Sequence, residues 1–450
     1  MYDKASGLLK KGVEKLLSLP KETTVRVLSH YDTDGVTAAA IVCEALYRKG
    51  YNFHATLLKH PFKEELTKVK EEGNEFVILS DMGSGQIDYI KKFGCPSIVL
   101  DHHQPVYDDT VIDSIVHVNA NLVGFDGNYE ACGASMSYLF ATTLDKKNSD
   151  LAPLAVTGAI GDKQHLGGFK GLNKTIFEEA VSTKKIMLKE SRMKTIGANL
   201  KDEIMFSVDP YYTSLSGREE EVELFLKTLS VDSQKKYVEL SQHERKILHS
   251  AVILKLLQNK LQPEILDTVI KERYFSENIP DDLDRFSDVI DACGKSGETG
   301  LALSVCLNNG ERYQKAVEVE NDYRKLLIKH LNALEDGELK EAVNIQYFYS
   351  PKASLGSVLS GIVMNYFPYK GKPIFSFSRK NSSVHVSCRA TRALVEQGVD
   401  LGDVMRRVAS EVGGAGGGHK IAAGGTFENI KEEELIKIID EEIGHRGVKK

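Results

Sequence analysis

The sequence contains no C-x-x-C pair. Its six cysteines, Cys43, Cys95, Cys132, Cys293, Cys306 and Cys388, are scattered along 450 residues. That spacing excludes a disulfide framework and a zinc ribbon, and it fits reduced thiols in a cytoplasmic protein. No stretch approaches 18 consecutive apolar residues, so nothing reads as a membrane span and no membrane partner is expected. The opening MYDKASGLLKKGVEKLLSL places lysines throughout an apolar helical spacing, which reads as an amphipathic helix and not as a secretory signal. There is no internal repeat and no low-complexity tract. Nor is one sign of charge dominant: the net charge of −6 argues neither for nor against a polyanionic partner.

What is present is ordinary in bulk and uneven in detail. Hydrophobic content of 42% and charged content of 27% are those of a globular protein. The length predicts two or three domains. Between Pro351 and Phe427 there are ten Lys and Arg against four Asp and Glu, a basic segment on an acidic chain. Such a segment suits a polyanion, a nucleic acid above all.

The first 170 residues alternate short apolar runs with helical patterns. Strands are predicted at 23–29, 52–58, 75–80, 96–100 and 114–119, and helices at 35–50 and 60–73. This rhythm means a mostly parallel sheet covered by helices. The middle, 172–337, is rich in Lys, Glu and Leu at helical spacing and reads as a mainly helical insertion. From 338 the alternation returns, with strands at 344–350, 373–378 and 384–390 and helices at 354–367, 401–412 and 431–443. The expected fold is therefore α/β, with an N-terminal domain over 1–171, the helical insertion over 172–337 and a second α/β domain over 338–450.

The stretch SHYDTDG (29–35) crowds His30, Asp32 and Asp34 onto alternate positions ahead of a glycine. Carboxylates tolerate such proximity when a cation or a shared proton lies between them. Asp81 directly follows the strand EFVILS, and Asp101 directly follows PSIVL and opens DHH (101–103). Sites on parallel sheets form outside the carboxyl ends of the strands, so three strands deliver carboxylates to one edge. Asp162, in AVTGAIGD, is a fourth candidate, after an apolar helical run with two glycines that permit a tight turn. Each such Asp alone would be a turn former; together, with adjacent histidines, they point to metal. Mixed carboxylate and imidazole favours Mn²⁺, with Fe²⁺, Co²⁺ or Zn²⁺ as competitors. The number of ligands suits two ions about 3.5–4 Å apart that share a bridging carboxylate and a bridging hydroxide.

A second cluster is GGAGGGHKIAAGG (413–425), read as a glycine-rich loop whose N–H groups approach an anion, with His419 as a donor and Arg389 as a bidentate phosphate ligand. Two look-alikes fall away. CGKSG (293–297) holds the GKS of a phosphate loop, but Val289 occupies the position where that motif needs glycine. The glycine run does not follow a strand and is no dinucleotide fingerprint. His60, His117 and His165 lack acidic neighbours in sequence and read as packing or surface histidines. Cys293 and Cys306 read as packed.

At these residues the chain resembles the DHH-family phosphoesterases that carry a C-terminal DHHA1 domain. DTDG (32–35), SDMG around Asp81, DHH (101–103) and GAIGD (158–162) match the four DHH motifs in order, and SCR with GGGHKIAAGG matches DHHA1. DACGKSGETGLALSVCL (291–307) is similar to a stretch typical of the archaeal RecJ-like branch. The resemblance implies that His30, Asp32 and Asp81 hold one ion and that Asp34, Asp81, His102 and Asp162 hold a second, with Asp81 bridging. His30 precedes Asp32 by two residues, where many members place that histidine four before. Asp101 would orient His102, and His103 would face the scissile phosphate. Arg389, Gly416, Gly417, Gly418 and His419 would grip the nucleic-acid backbone. The implied activity is an exonuclease with two Mn²⁺ ions (Mg²⁺ or Co²⁺ as substitutes) that releases 5′-mononucleotides from single-stranded DNA or RNA in replication or repair. A docking partner would be GINS of the replicative helicase. The rival readings are a short-oligonucleotide or cyclic-dinucleotide phosphodiesterase, a structural replisome factor, and an inorganic pyrophosphatase.

Overall fold

The computed structural model describes residues 2–59, 63–194, 196–261, 265–266, 269–307 and 312–446. His60 lies outside them. The chain forms two compact units, Met1–Arg192 with Lys271–Asn321, and Met193–Ile270 with Asp322–Lys450.

The first unit is built on a six-stranded sheet: β1 (Thr24–His30), β2 (Asn52–Leu58), β3 (Val77–Ser80), β4 (Ser97–Asp101), β5 (Val111–Ile112) and β6 (Ile115–Asn119). Their spatial order is β2-β1-β3-β4-β6-β5, all parallel except the short β5. β3 and β4 are buried along their whole length, which is why they read as continuous apolar runs. Val25, Val27 and Ile78 point into a core shared with the helices Tyr2–Leu17, Thr33–Arg48, Gly133–Leu144 and Ala152–Gly161. Leu28, Val77, Leu79 and Val99 point the other way, to the helix Lys63–Glu71 and the turn Ile87–Ile90. Each fully buried aliphatic side chain contributes about 1.5–3 kcal/mol. All six cysteines are buried and free.

The stretch 172–337, expected as one insertion, divides between the units and is not purely helical. Leu172, Ile176 and Ala180 of the helix Gly171–Ser182, and Leu283, Phe286, Val289 and Ile290 of the helix Leu283–Ser296, complete the first unit's core. Strands β7 (Met187–Arg192) and β8 (Lys271–Phe275) pair antiparallel within it. Leu200, Ile204, Val222, Leu226, Leu248, Val252 and Leu256 instead join Leu355 and Leu359 in the second unit. Apolar faces choose the core they can reach, and helical periodicity carries no information about which one that is.

The second unit has its own six-stranded sheet: β9 (Lys340–Glu341), β10 (Gln346–Tyr349), β11 (Ile374–Lys380), β12 (Ser383–Arg389), β13 (Ala415–Gly418) and β14 (Ala422–Glu428), in the order β13-β14-β12-β11-β10-β9. Only β10 and β11 run parallel; the other pairs are antiparallel.

Candidate metal centre

Asp32 ends the turn after β1 and caps the next helix, its side chain accepting from Gly35 N at 3.1 Å. Gly35 has no alternative: a Cβ there would lie 2.3 Å from the His30 carbonyl oxygen. The helix therefore starts at Thr33, two residues before the sequence pattern indicated, and it carries Asp34 inward in its first turn. Asp34 is buried, and its two carboxylate oxygens accept the Gly133 and Ala134 N–H groups at 2.6 and 2.8 Å. It thus sits at the N-terminus of the helix Gly133–Leu144, where the helix dipole favours a negative charge.

Asp81 follows β3 with φ of +54°, in the left-handed region. Such backbone in a non-glycine residue is uncommon and clusters at functional sites. A Cβ at Gly133 would come within 2.4 Å of the Asp81 Cβ. Asp162 caps the helix Ala152–Gly161. The run is helical as expected, but its two glycines lie within the helix and serve no tight turn. A Cβ at Gly158 would lie 2.5 Å from the Ala134 Cβ and 2.6 Å from Asp34 Oδ1, and one at Gly161 2.6 Å from the Thr33 Cβ. They let three helices close to near backbone contact around the carboxylates.

The histidines complete the arrangement. His102 Nδ1 lies 2.6 Å from the Gly127 carbonyl. A carbonyl only accepts, so Nδ1 carries the proton and Nε2 is left facing Asp81 Oδ1 at 3.2 Å, Asp162 Oδ2 at 3.4 Å and Asp34 Oδ2 at 3.7 Å. His30 repeats the pattern. Its Nε2 meets the Lys59 carbonyl at 3.1 Å, and its Nδ1 faces Asp32 Oδ2 at 2.8 Å and Asp81 Oδ2 at 3.9 Å. A lone pair aimed at carboxylates needs a positive charge between them. Tying the outer ring nitrogen to a carbonyl is how metal-binding histidines are oriented.

Without a cation, that charge is a proton. Burial opposes it on His102, but Asp162, Asp34 and Asp101 outweigh burial and lift the ring to about 9. Burial and then Asp34 push Asp162 up to about 7. Burial, Asp34 and Asp32 raise Asp81 well above the usual carboxylate range. Burial works against the charge on Asp32 too, yet the adjacent His30 holds that carboxyl below its usual range. Asp81 Oδ1 is buried with no hydrogen bond. Three groups bring ligand atoms within 4.8 Å of one another: His30, Asp32 and Asp81; Asp34, His102 and Asp162; and Asp81, His102 and His103. The donor set and the orphaned oxygen fit divalent cations.

Asp101 departs from its expected role. Its Oδ1 accepts the His103 ring N–H at 2.8 Å and the backbone N–H groups of His102 and His103 at 2.8 and 3.2 Å; its Oδ2 accepts from Ser84 N at 2.9 Å. The chain folds back over this carboxylate after β4, so Asp101 orients His103, and the Gly127 carbonyl orients His102. Asp101 is held below the usual carboxylate range, because His103 and His102 outweigh its burial. His103 is 52% exposed and lifted to about 9, Asp101 overcoming the effect of burial.

The sequence reading missed Ser84, Asn119 and Asn121. Asn119 Nδ2 donates to Ser84 Oγ and to the His103 carbonyl, both at 2.8 Å, and Asn121 Nδ2 donates to the His102 carbonyl at 2.9 Å. Their one sequence signal is position, within or just past the sheet's strand ends. His117 is buried between Ser84 Oγ at 2.8 Å and the Asp109 carbonyl at 3.2 Å, a packed histidine as expected. His165 is half-buried beside Phe169.

Comparison with known proteins agrees with the motifs. The model described as DHH family, N-terminal domain, matches residues 24–159, and the DHHA1 domain model matches 344–445. The uncharacterized protein MJ0831 of Methanocaldococcus jannaschii is 33% identical over 451 residues, covering 97% of this chain and 98% of that one. The chain belongs to the DHH/DHHA1 family. Among solved structures, RecJ of Thermus thermophilus in complex with Mn²⁺ superposes with a TM-score of 0.60 at 17% identity, over 99% of this chain and 55% of RecJ. CDC45 from Entamoeba histolytica gives 0.64 at 12% identity, over 98% of each chain. At these identities the likeness shows the fold alone. This DHH/DHHA1 protein therefore shares its architecture with a nuclease and with CDC45, and its own side chains must carry the functional argument.

In the DHHA1 unit the glycine run is not a loop. Residues 415–418 form β13, which pairs antiparallel with β14. A Cβ at Gly416 would meet the Met405 carbonyl oxygen at 2.3 Å, and one at Gly402 would meet the Gly418 carbonyl oxygen at 2.3 Å. These glycines seat the helix Leu401–Val412 directly on the strand. Gly417 is different: its Cβ would meet only Arg406 Cγ, at 3.7 Å. His419 is exposed at the hairpin turn. Arg389 ends β12 and donates to the Cys388 carbonyl and to Ser357 Oγ, each at 2.9 Å. CGKSG lies at the end of the helix Leu283–Ser296, which Gly297 caps in the left-handed conformation, so it forms no phosphate loop.

Proposed function

We propose that this protein is a two-metal, Mn²⁺-dependent exonuclease that releases 5′-mononucleotides from single-stranded nucleic acid in replication or repair. The observation that carries the reading is the pair of histidines whose outer nitrogens are tied to carbonyls while their inner nitrogens face the clustered carboxylates. His30, Asp32 and Asp81 would hold one ion, and Asp34, His102, Asp162 and Asp81 the other. When bound, such ions supply a nucleophile at neutral pH and neutralise charge on the phosphoryl group. The N–H groups of Gly133 and Ala134 hold the Asp34 carboxylate in place. His103, half-exposed and oriented by Asp101, offers an N–H to a phosphoryl oxygen. Arg389, Gly416, Gly417, Gly418 and His419 would contact the backbone from the DHHA1 unit. Among these glycines, Gly417 has room to serve a ligand and no packing duty.

The fold shared with CDC45 keeps a structural replisome role, with GINS as the docking partner, as the second reading. A time course on 5′- and 3′-labelled single-stranded DNA and RNA of about 20 nucleotides, with Mn²⁺, separates them. Mononucleotides from the wild type and none from Asp81→Ala support the exonuclease, and the label lost first gives its polarity. No cleavage of any of the four substrates removes it. Faster turnover of two-to-five-nucleotide substrates would favour a short-oligonucleotide phosphodiesterase.

A further inference from the structure

The Gly127 carbonyl that orients His102 is itself held from behind. Gln164 Nε2 donates to it at 3.0 Å and to the Ala131 carbonyl at 3.3 Å. Gln164 Oε1 accepts from Asn173 Nδ2 at 2.6 Å, and Asn173 Oδ1 accepts from the Ser135 hydroxyl. Gln164, Asn173 and Ser135 are 4%, 2% and 1% exposed. They come from three places: just past the helix Ala152–Gly161, the first turn of Gly171–Ser182, and the first turn of Gly133–Leu144. None of these side chains is hydrogen-bonded to a carboxylate of the metal centre.

The direction of every amide is determined. Gly127 and Ala131 present carbonyls, so Gln164 must turn its NH₂ to them and its oxygen to Asn173. Asn173 must then turn its NH₂ to Gln164, which leaves its oxygen for the Ser135 proton. Burying three polar side chains is costly unless each is paired, and apolar residues would fill the same space without that demand. The chain instead retains a polar relay that ends on the Gly127 and Ala131 carbonyls, the nearer of them the one that meets His102. A Cβ at Gly127 would sit 2.0 Å from the His102 carbonyl oxygen, so this segment crosses DHH at backbone distance.

We propose that Gln164 is a positioning residue: it locks the Gly127 carbonyl onto His102 Nδ1–H and so aims Nε2 at the Asp34–Asp162 cation group, while Asn173 and Ser135 fix the way Gln164 faces. The inference rests on the reading of His102 as a metal ligand. Removing such outer contacts typically costs about 10–100-fold in metal affinity.

The test uses the full chain as Gln164→Leu and as Gln164→Glu, which keeps the shape but loses the donor when ionised. Mn²⁺ affinity is measured by electron paramagnetic resonance, and the His102 Nδ1–H proton is followed by ¹⁵N-resolved NMR in metal-free protein. The expected result is Mn²⁺ binding weakened about 10–100-fold at one of two sites, and faster exchange of the Nδ1–H proton. In a His102→Ala background, Gln164→Leu should change Mn²⁺ affinity less than about twofold, because its effect runs through that ring. Unchanged affinity and exchange in both variants would overturn the proposal, as would an equal loss with and without His102. If His102→Ala alone leaves Mn²⁺ binding intact, the ligand reading fails. The proton's exchange in Gln164→Leu then decides whether Gln164 positions the ring at all.

Discussion

Asp81→Asn should stabilise the protein without metal and remove most of its stabilisation by metal. Asp81 is 3% exposed, sits at a positive φ, and leaves Oδ1 without a hydrogen bond. Its pKa is raised, so the folded state holds that proton more tightly than the unfolded chain does. The group therefore costs nothing below its unfolded value of about 4, and the cost grows with pH until the folded pKa is passed. Asparagine removes the charge, keeps the shape and tolerates the left-handed backbone better than most residues. Removing a buried charge that lacks a hydrogen bond is worth about 1–3 kcal/mol. At roughly 2–4 °C per kcal/mol for a body of this size, the metal-free variant should melt about 2–12 °C above wild type at pH 8. At pH 5 the gap should shrink. Cations reverse the order: wild type gains about 2.7 kcal/mol per site at Mn²⁺ a hundredfold above Kd, and the variant should lose that gain at any site that uses Asp81. Calorimetry with EDTA and then with Mn²⁺, at both pH values, reads all four states. A metal-free variant that melts below wild type at pH 8, or equal Mn²⁺ shifts in both proteins, would refute the account of Asp81 as a bridging ligand.

Gly158→Ala should cost about 1–3 kcal/mol by overpacking, seen in urea melts, and should weaken Mn²⁺ binding as well, because the new methyl would meet both Ala134 and Asp34. In the second unit, Gly416→Ala should destabilise by about 1–3 kcal/mol while Gly417→Ala stays within about 0.5 kcal/mol of wild type in the same melts; a drop in single-strand affinity for Gly417→Ala would mark it as a binding position. His103→Asn should lower kcat by about 10²–10⁴-fold with little change in Mn²⁺ affinity, measured by single-turnover cleavage and metal titration. Mn²⁺ affinity should rise between pH 6 and pH 9, by up to about tenfold per unit for each proton released, because the cation must displace the protons that the carboxylates hold on His102 and Asp162; isothermal titration at three pH values checks the slope.

β1, β3 and β4, whose ends lead to Asp32, Asp81 and Asp101, were legible because they are buried on both faces. Residues 52–58 are β2, and the predicted 23–29, 75–80, 96–100 and 114–119 differ from β1, β3, β4 and β6 by one or two residues at their ends. The acids that follow them were legible for the same reason: a hydrophobic run followed by Asp marks a strand end. Two-residue β5, the β7–β8 pair and β13 left no such signal. β13 is nearly all glycine, and a residue without a side chain has no period to read. The division of 172–337 between two cores was invisible as well, since amphipathic helices announce a buried face without naming what buries it.

Glycine explains why the site could be located from the sequence but not understood from it. Gly35, Gly133 and Gly158 each stand where a Cβ would strike the backbone or side chain of a residue in the metal centre, and Gly161 where it would strike Thr33, the residue between Asp32 and Asp34. They look alike in sequence, and a tight turn is the first use of glycine that comes to mind, yet all four serve close approach. The same holds for the histidines of DHH. Consecutive in sequence, they are oriented differently because one ring meets the carboxylate at the end of β4, two residues earlier, and the other meets a carbonyl 25 residues away. Alternation and motif place Asp101, His102 and His103 at the right edge of the sheet. Which of them would face a cation and which a phosphate, on the function proposed above, depends on a partner, Gly127, whose contribution is a backbone oxygen.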